Sequence, residues 1–109
     1  MNITFNSYYK SENGNAKKFA DEMLSSGIVD EIRLKKGNLR YEYFIPLAND
    51  NTILLIDSWE NQEALDAHHN SNTMKKIMEL RNKYDLHMTV EKYIKEDTNT
   101  ESNDKFIRK

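Results

Sequence analysis

The hydrophobic pattern of this chain changes its period along the sequence, and this change constrains the fold more than any other feature. Apolar and β-branched residues alternate with polar ones in residues 2–9, 39–45 and 86–94, as on half-buried β-strands. Residues 52–59 predict a further strand, and its apolar run at residues 53–56 indicates that both of its faces are covered. The chain is therefore expected to supply four strands.

Helical spacing separates these strands. Residues 16–24 carry apolar side chains at every third or fourth position, and Gly27 is a suitable stop signal for that helix. Residues 28–36 are compatible with a prolonged helix, a second short helix or a loop. Further helical pieces are expected in residues 61–69 and 74–81. The order βαββαβ predicts an α+β protein with a ferredoxin-like arrangement and an antiparallel sheet.

One face of such a sheet takes the helices, and the other face retains apolar side chains. The alternation along the strands assigns Tyr8, Phe44, Leu54 and Ile56 to this second face. Soluble monomers seldom tolerate a large exposed apolar patch. We therefore expect a homodimer in which two subunits pack sheet against sheet, since two-fold association is the commonest arrangement.

The composition excludes several classes of function. The 109 residues suit one domain, and the absence of cysteine excludes disulfides, zinc–thiolate sites, iron–sulfur clusters and catalytic thiols. A formal net charge of −2 gives no support for binding to nucleic acid or to a membrane surface. No segment reads as a signal peptide or a membrane span, so we expect a cytoplasmic protein. We expect residues 1–95 to form the domain and residues 96–109 to form a flexible polar tail.

The most informative motif lies at the end of the third predicted strand. It consists of an acid-x-Trp sequence, a polar turn, Glu-Ala-Leu, a His and a Ser, at Asp57, Trp59, Glu63–Leu65, His68 and Ser71. This motif resembles that of the antibiotic biosynthesis monooxygenase family, and its length makes the resemblance fairly specific.

Two weaker similarities extend the resemblance to residues 2–95. The Gly-x-x-x-Tyr-Glu sequence at residues 37–42 resembles the opening of the family's second strand, and Val90–Tyr93 resembles its last strand. The chain departs from the family pattern in having Asp57 where Glu is usual, and in extra length at residues 28–36. These departures leave the substrate class open.

The resemblance implies both a fold and an activity. It implies a dimeric α+β barrel with a pocket in each subunit, between the helices and the sheet. Enzymes of the family often oxidise phenolic or quinol substrates with O₂ and without a metal or flavin. Such chemistry needs a dry, aromatic-lined pocket and a group that takes a phenolic proton. We therefore expect a cofactor-independent monooxygenase that acts on a small quinol or polyphenol.

His68 is the candidate catalytic residue. It shares an inward helical stripe with Ala64 and Leu65, and a histidine is a natural proton acceptor near neutral pH. The alternative is a packed histidine that is hydrogen-bonded to the backbone. His69 points about 100° away around the helix and is expected to be solvated. The histidines include no i, i+4 pair, so a metal site is not expected.

Further residues are candidates for binding the substrate: Ser7, Tyr41, Tyr43, Trp59, Met74 and Met78. Ser7 is the polar member of an otherwise apolar strand face. The methionine side chains adapt to flat ligands. The alternative for the aromatic residues and the methionines is packing in the core, where they would bind no substrate.

Other functions stay open on the sequence alone. The same fold hosts unrelated functions, so the main alternative is a non-catalytic dimer that binds a ligand or acts in a stress response. A haem-degrading branch of this architecture is disfavoured, because its Asn, Trp and His hallmarks correspond to Ser7, His68 and Met78 here. A cavity beside His68 would favour the enzyme, whereas a fully packed interior would favour the binding protein.

Overall fold

The computed structural model of the chain describes residues 2–95 and 106–108. Its elements are, in chain order, β1 (Ile3–Lys10), α1 (Asn15–Ser25), α2 (Ile28–Arg33), β2 (Asn38–Phe44), β3 (Thr52–Trp59), α3 (Gln62–His69), α4 (Asn72–Lys83) and β4 (His87–Ile94). The prediction of a flexible tail falls mostly on residues 96–105, which lie outside the described part of the chain.

The four strands form one antiparallel sheet in the order β2-β3-β1-β4. This order places β1 and β3 in the centre, and it confirms the predicted α+β, ferredoxin-like fold. In the register of the sheet, Asp57 of β3 lies opposite Phe5 of β1 and opposite Tyr41 of β2. Because side chains on directly opposite residues share a face, these three point to the same side of the sheet.

The segment that the sequence left undecided contains the short helix α2. Its residues Ile28, Val29 and Ile32 are buried in the core. They join Tyr9 and Phe19, whose rings lie 5.2 Å apart, in one cluster between the sheet and the helices. A six-residue helix is too short to be stable by propensity alone, so its burial holds it in place.

Helices α3 and α4 begin at side-chain caps that fix the position of the residues between them. The Asn61 Oδ1 accepts a hydrogen bond from the Ala64 N–H at 2.8 Å, and the Ser71 Oγ accepts one from the Met74 N–H at 3.3 Å. Such caps satisfy backbone donors that have no partner within a helix. Together they set His68 in the last turn of α3, facing the sheet.

Gly37 brings the turn before β2 against the start of α3. Its φ is +84°, and a Cβ at this position would lie 2.5 Å from the Cβ of Ala64. Its carbonyl oxygen accepts a hydrogen bond from the Glu60 N–H at 2.8 Å. The position therefore needs glycine both for its left-handed backbone and for the close approach.

The face of the sheet that is turned away from the helices carries a shallow groove of about 640 Å³. We call this side of the sheet the open face. The residues that line its groove include Thr4, Asn6, Arg40, Ile56 and Tyr93. Among the described residues, no helix is both long and apolar enough to cross a bilayer. In the sheet register Leu54 lies opposite Tyr8 and Phe44, and Ile56 lies opposite Asn6, so the four apolar side chains predicted for this face share it with polar ones.

Candidate functional site

A cavity of about 230 Å³ lies between the helix-facing side of the sheet and helices α3 and α4. Its apolar wall consists of Phe5, Leu55, Met74, Ile77, Met88 and Val90. Its polar groups are Ser7, Tyr9, Tyr41, Asp57, His68, His69 and Arg81. An apolar wall with a few convergent polar groups is typical of a site for a small molecule.

Four of the predicted site residues line this cavity: His68, Ser7, Tyr41 and Met74. Ser7 is buried and is the polar group of the β1 wall, as its strand face suggests. Met74 enters from the first turn of α4. The cavity also includes His69, which is exposed as expected yet reaches the rim beside His68, with their ring centroids 5.9 Å apart.

Met78 lies outside the cavity, contrary to its predicted role there. Its side chain is 54% exposed, whereas Met74, Ile77 and Arg81 of the same helix line the cavity. Those three positions recur at helical spacing on one face of α4. Met78 lies about 100° from Ile77 but only about 40° from Met74 around the helix, so it stands at the edge of that face, where its side chain is exposed.

Trp59 and Tyr43 are two further predicted site residues that do not line the cavity, because they lie behind its wall. Trp59 is fully buried, and its indole stacks on the His68 ring with a centroid distance of 4.8 Å and an interplanar angle of 22°. The Trp59 Nε1–H donates a hydrogen bond to Asp57 Oδ1 at 2.7 Å. The Tyr43 ring packs edge-on against Tyr41, with centroids 5.7 Å apart. Both residues therefore support side chains that do reach the cavity.

His68 is held on its other side by Lys35. The Lys35 Nζ lies 3.0 Å from His68 Nδ1 and donates to Ser71 Oγ at 2.7 Å, while the Ser71 hydroxyl donates to the His68 carbonyl at 2.6 Å. Since an ammonium group only donates, Nδ1 is the acceptor, which assigns the ring proton of neutral His68 to Nε2. Burial, and then the charge of Lys35, lowers the pKa of His68 to about 4.

Asp57 is a functional candidate that sequence reasoning treated only as part of a motif. It lies in a central strand, on the face that carries the core, where a carboxylate is costly. Burial raises its pKa to about 6, although the hydrogen bond from Trp59 and the charge of Arg81 act in the opposite direction. The signal available in the sequence was an acidic residue at a strand position whose side chain is expected to face the core.

Arg81 is the second residue that the sequence did not single out. One guanidinium N–H, on Nη2, donates to the Tyr9 hydroxyl at 2.9 Å. Its buried Nε–H has no hydrogen-bond partner among the described residues. Since buried donors are normally paired, this N–H is an exception to that rule, on a residue that lines the cavity.

Burial keeps the phenols of the cavity in their neutral form. It raises the pKa of Tyr9, and it raises that of Tyr41 well above the ordinary range. Within the described residues, no three His, Cys, Asp or Glu side chains are grouped so that they could hold a metal ion. The arrangement therefore offers an acid–base group in Asp57, and hydrogen-bond donors in His68 and Arg81.

Comparison with known proteins gives matches of two kinds. The profile of the antibiotic biosynthesis monooxygenase family matches residues 3–80. No curated protein matches the chain significantly. Among solved structures, SnoaB, a cofactor-independent oxygenase from Streptomyces nogalater, superposes with a TM-score of 0.73 at 12% identity, over 92% of this chain and 98% of SnoaB.

Further similar structures extend the fold likeness to other organisms. A conserved protein from Methanosarcina mazei has a TM-score of 0.75 at 20% identity, over 88% of this chain and 94% of its own. A protein from Pseudomonas aeruginosa has a TM-score of 0.72 at 18% identity, over 86% of this chain and 93% of its own. At such identities the structures support the fold, and the profile match over most of the chain decides the family. The chain belongs to the antibiotic biosynthesis monooxygenase family.

Proposed function

We propose that this protein is a monooxygenase that oxidises a small phenolic or quinol substrate with O₂ inside the cavity beside His68. The observation that carries the proposal is the cavity itself, with its apolar wall and its polar groups Asp57, His68 and Arg81. A packed interior would have favoured a binding protein without a catalytic role. Family membership supports a monooxygenase-type activity.

The size of the cavity favours a small substrate. It holds about 230 Å³, and an apolar cavity of about 150 Å³ is enough to bind benzene. One substituted aromatic ring fits this volume together with O₂. The aromatic and methionine side chains of the wall suit a flat ligand.

The chemistry is balanced without a resident cofactor when the substrate supplies the electrons. A 1,4-dihydroxybenzene and O₂ give a hydroxybenzoquinone and one water molecule. One oxygen atom enters the ring, the other becomes water, and the ring loses four electrons. The protein has to accept a phenolic proton, donate hydrogen bonds to the resulting oxyanion and exclude bulk water.

His68 remains the proposed catalytic residue of this site, with Ser7, Tyr41 and Met74 as substrate-binding residues. Trp59 and Tyr43 support them from behind the wall. The imidazole lies at the cavity and is neutral at pH 7, so its N–H can donate a hydrogen bond to a phenolic oxygen at no cost in charge burial.

O₂ consumption with 1,4-dihydroxybenzene tests the function, measured against a protein-free control for spontaneous oxidation. We expect uptake that is at least about 100-fold lower in Ser7→Leu, which fills the cavity with an apolar side chain. Lys75→Met, an exposed change on α4, should retain the wild-type rate. Equal uptake by wild type and Ser7→Leu would contradict a reaction inside the cavity.

We further propose that two subunits pack through their open faces. The apolar side chains of this face, among them Ile56 and Tyr93, line a broad groove whose exposure would be unfavourable in a monomer. Light scattering during gel filtration tests this proposal. Ile56→Lys should give a monomer, whereas Leu34→Lys, at a fully exposed position outside that face, should leave a dimer. A monomeric wild type would overturn it.

A further inference from the structure

We propose that Asp57 is the catalytic residue that takes the phenolic proton, and that Lys35 positions His68 as a hydrogen-bond donor to the same substrate. This inference rests on the proposed oxidation of a phenol or quinol, and it divides the acid–base work of the cavity between two residues. It assigns proton acceptance to a residue other than the His68 expected from the sequence.

The carboxylate of Asp57 accepts one hydrogen bond from the protein and keeps further lone pairs for a substrate. Its Oδ1 accepts the indole N–H of Trp59 at 2.7 Å. Within residues 2–95, this indole is the one hydrogen-bond donor to the carboxylate. Asp57 lines the cavity, so the remaining lone pairs are available to a substrate hydroxyl.

The surroundings of Asp57 bring its change of charge close to neutral pH. Arg81 of α4 lines the same cavity and its charge acts on Asp57, while Tyr9 of β1, Tyr41 of β2 and the α3 residues His68 and His69 line the cavity as well. Tyr9 and Tyr41 have raised pKa values because they are buried, as does the more remote Tyr43 of β2.

The pKa of Asp57 itself, about 6, is close to the optimum for a base that operates near neutral pH. The pKa of His68, about 4, makes it a weaker base than the carboxylate. The geometry agrees with this ranking. Because Lys35 occupies Nδ1, the other ring nitrogen carries the proton and can only donate.

Arg81 completes the division of roles. Arg81 and His68 both line the cavity, and the guanidinium group and the Nε2–H are donors that can stabilise an oxyanion there. A phenolic substrate thus meets an acceptor for its proton in Asp57 and donors for the charge that remains on its oxygen.

The proton step balances within the cavity. The phenolic O–H bond breaks, the proton forms an O–H bond on the Asp57 carboxylate, and the electron pair stays on the substrate oxygen. The phenolate then reduces O₂, which is the oxidant of the proposed reaction. Asp57 regains its charge when it gives its proton to the oxygen atom that leaves as water, and the second proton of that water comes from the ring carbon that is hydroxylated.

The pH dependence of O₂ uptake with 1,4-dihydroxybenzene tests this assignment in the full chain. The wild-type kcat/KM should rise with pH through a midpoint of about 6. Asp57→Asn should lower kcat/KM by about 100-fold or more and remove that midpoint. Asp57→Glu, which keeps the carboxylate, should retain the midpoint, and Asp30→Asn should behave as wild type because Asp30 is exposed. Circular dichroism of each variant separates loss of folding from loss of the base.

His68→Gln decides between the two candidate bases. Glutamine keeps an N–H donor but cannot accept a proton, so the midpoint near 6 should persist with a reduced rate. Loss of the midpoint in His68→Gln, or its retention in folded Asp57→Asn, would overturn the assignment while leaving the proposed function intact. Absence of any protein-dependent O₂ uptake by the wild type would overturn the proposed function, and this assignment with it.

Discussion

The indole of Trp59 lies flat against the imidazole of His68, with ring centroids 4.8 Å apart and an interplanar angle of 22°. The same indole donates its N–H to Asp57 at 2.7 Å. One buried side chain therefore fixes two polar groups of the cavity, and neither can shift without disturbing the other. The precise geometry of a reacting site depends on such support from residues that do not touch the substrate.

Trp59→Phe separates the two contacts of the indole, because it keeps an aromatic ring and removes the N–H. The hydrogen bond from Trp59 favours the charged form of Asp57, so its loss should raise the pKa of Asp57 above about 6. The midpoint in the pH profile of O₂ uptake should move upwards accordingly. An unchanged midpoint would show that the profile does not report on Asp57.

The stability of the protein should depend on pH through Asp57 and His68 with opposite signs. The pKa of Asp57 is raised from 3.8 to about 6 on folding, so the folded state binds the extra proton and stability falls as pH rises from about 4 to 6. The pKa of His68 is lowered from 6.5 to about 4, so the unfolded state binds the extra proton and stability rises with pH between about 4 and 6.5.

Each of these shifts corresponds to about 3 kcal/mol, so they largely cancel in the wild type. Compared with wild type, Asp57→Asn should gain stability as pH rises from 4 to 6, and His68→Gln should lose stability over the same interval. Urea unfolding at pH 4, 5, 6 and 7 measures both differences, with Asp30→Asn as the control. Parallel curves for all four proteins would contradict the burial of both groups.

Lys35→Met tests how the tautomer of His68 is set. Removal of the ammonium group should raise the pKa of His68, because the charge of Lys35 is the second cause of its lowering after burial. It should also allow the proton to occupy Nδ1 as well as Nε2. Nitrogen-15 NMR of the imidazole reports both quantities. The neighbouring Lys36→Met, at an exposed position, should leave the spectrum of His68 as in wild type. A wild-type spectrum in Lys35→Met as well would exclude the contact between Lys35 and His68.

Gly37→Ala should destabilise the protein more than Gly27→Ala. Both glycines have a φ of +84°, so each substitution carries a backbone cost of about 1–2 kcal/mol. Only the Gly37 position adds a contact at 2.5 Å, to the Cβ of Ala64, and overpacking of this kind costs a further ~1–3 kcal/mol. Thermal unfolding of the two variants compares these terms directly. An equal loss at both positions would mean that the turn moves away from α3 freely.

The fold could be predicted from the sequence because its elements are long enough to show their periods. Residues 52–59 and 61–69 coincide with β3 and with α3 together with its cap. The short helix α2 could not be decided, since six residues contain too few turns to distinguish a helical stripe from a loop. The sequence also predicted Met78 as a substrate-binding residue. Ile77 and Met78 are adjacent and apolar, and their pattern does not reveal that Ile77 is the one that lines the cavity.

The candidate site was only partly predictable, because its polar groups come from separate elements. His68, Ser7 and Tyr41 follow from local patterns along one helix or strand. The contact of Lys35 with His68 spans 33 positions, and that of Arg81 with Tyr9 spans 72. No local pattern contains such pairs. The raised pKa of Asp57 likewise depends on its burial, which is a property of the folded chain.

The direct test of the proposed reaction is the fate of isotopically labelled oxygen. Wild-type protein, 1,4-dihydroxybenzene and ¹⁸O₂ should give a hydroxybenzoquinone that carries one ¹⁸O atom, measured by mass spectrometry of the product after a short incubation. Asp57→Asn should form this product at a rate lower by about 100-fold or more. A product without ¹⁸O, or labelled product that forms equally fast without protein, would contradict the assignment of a monooxygenase to this cavity.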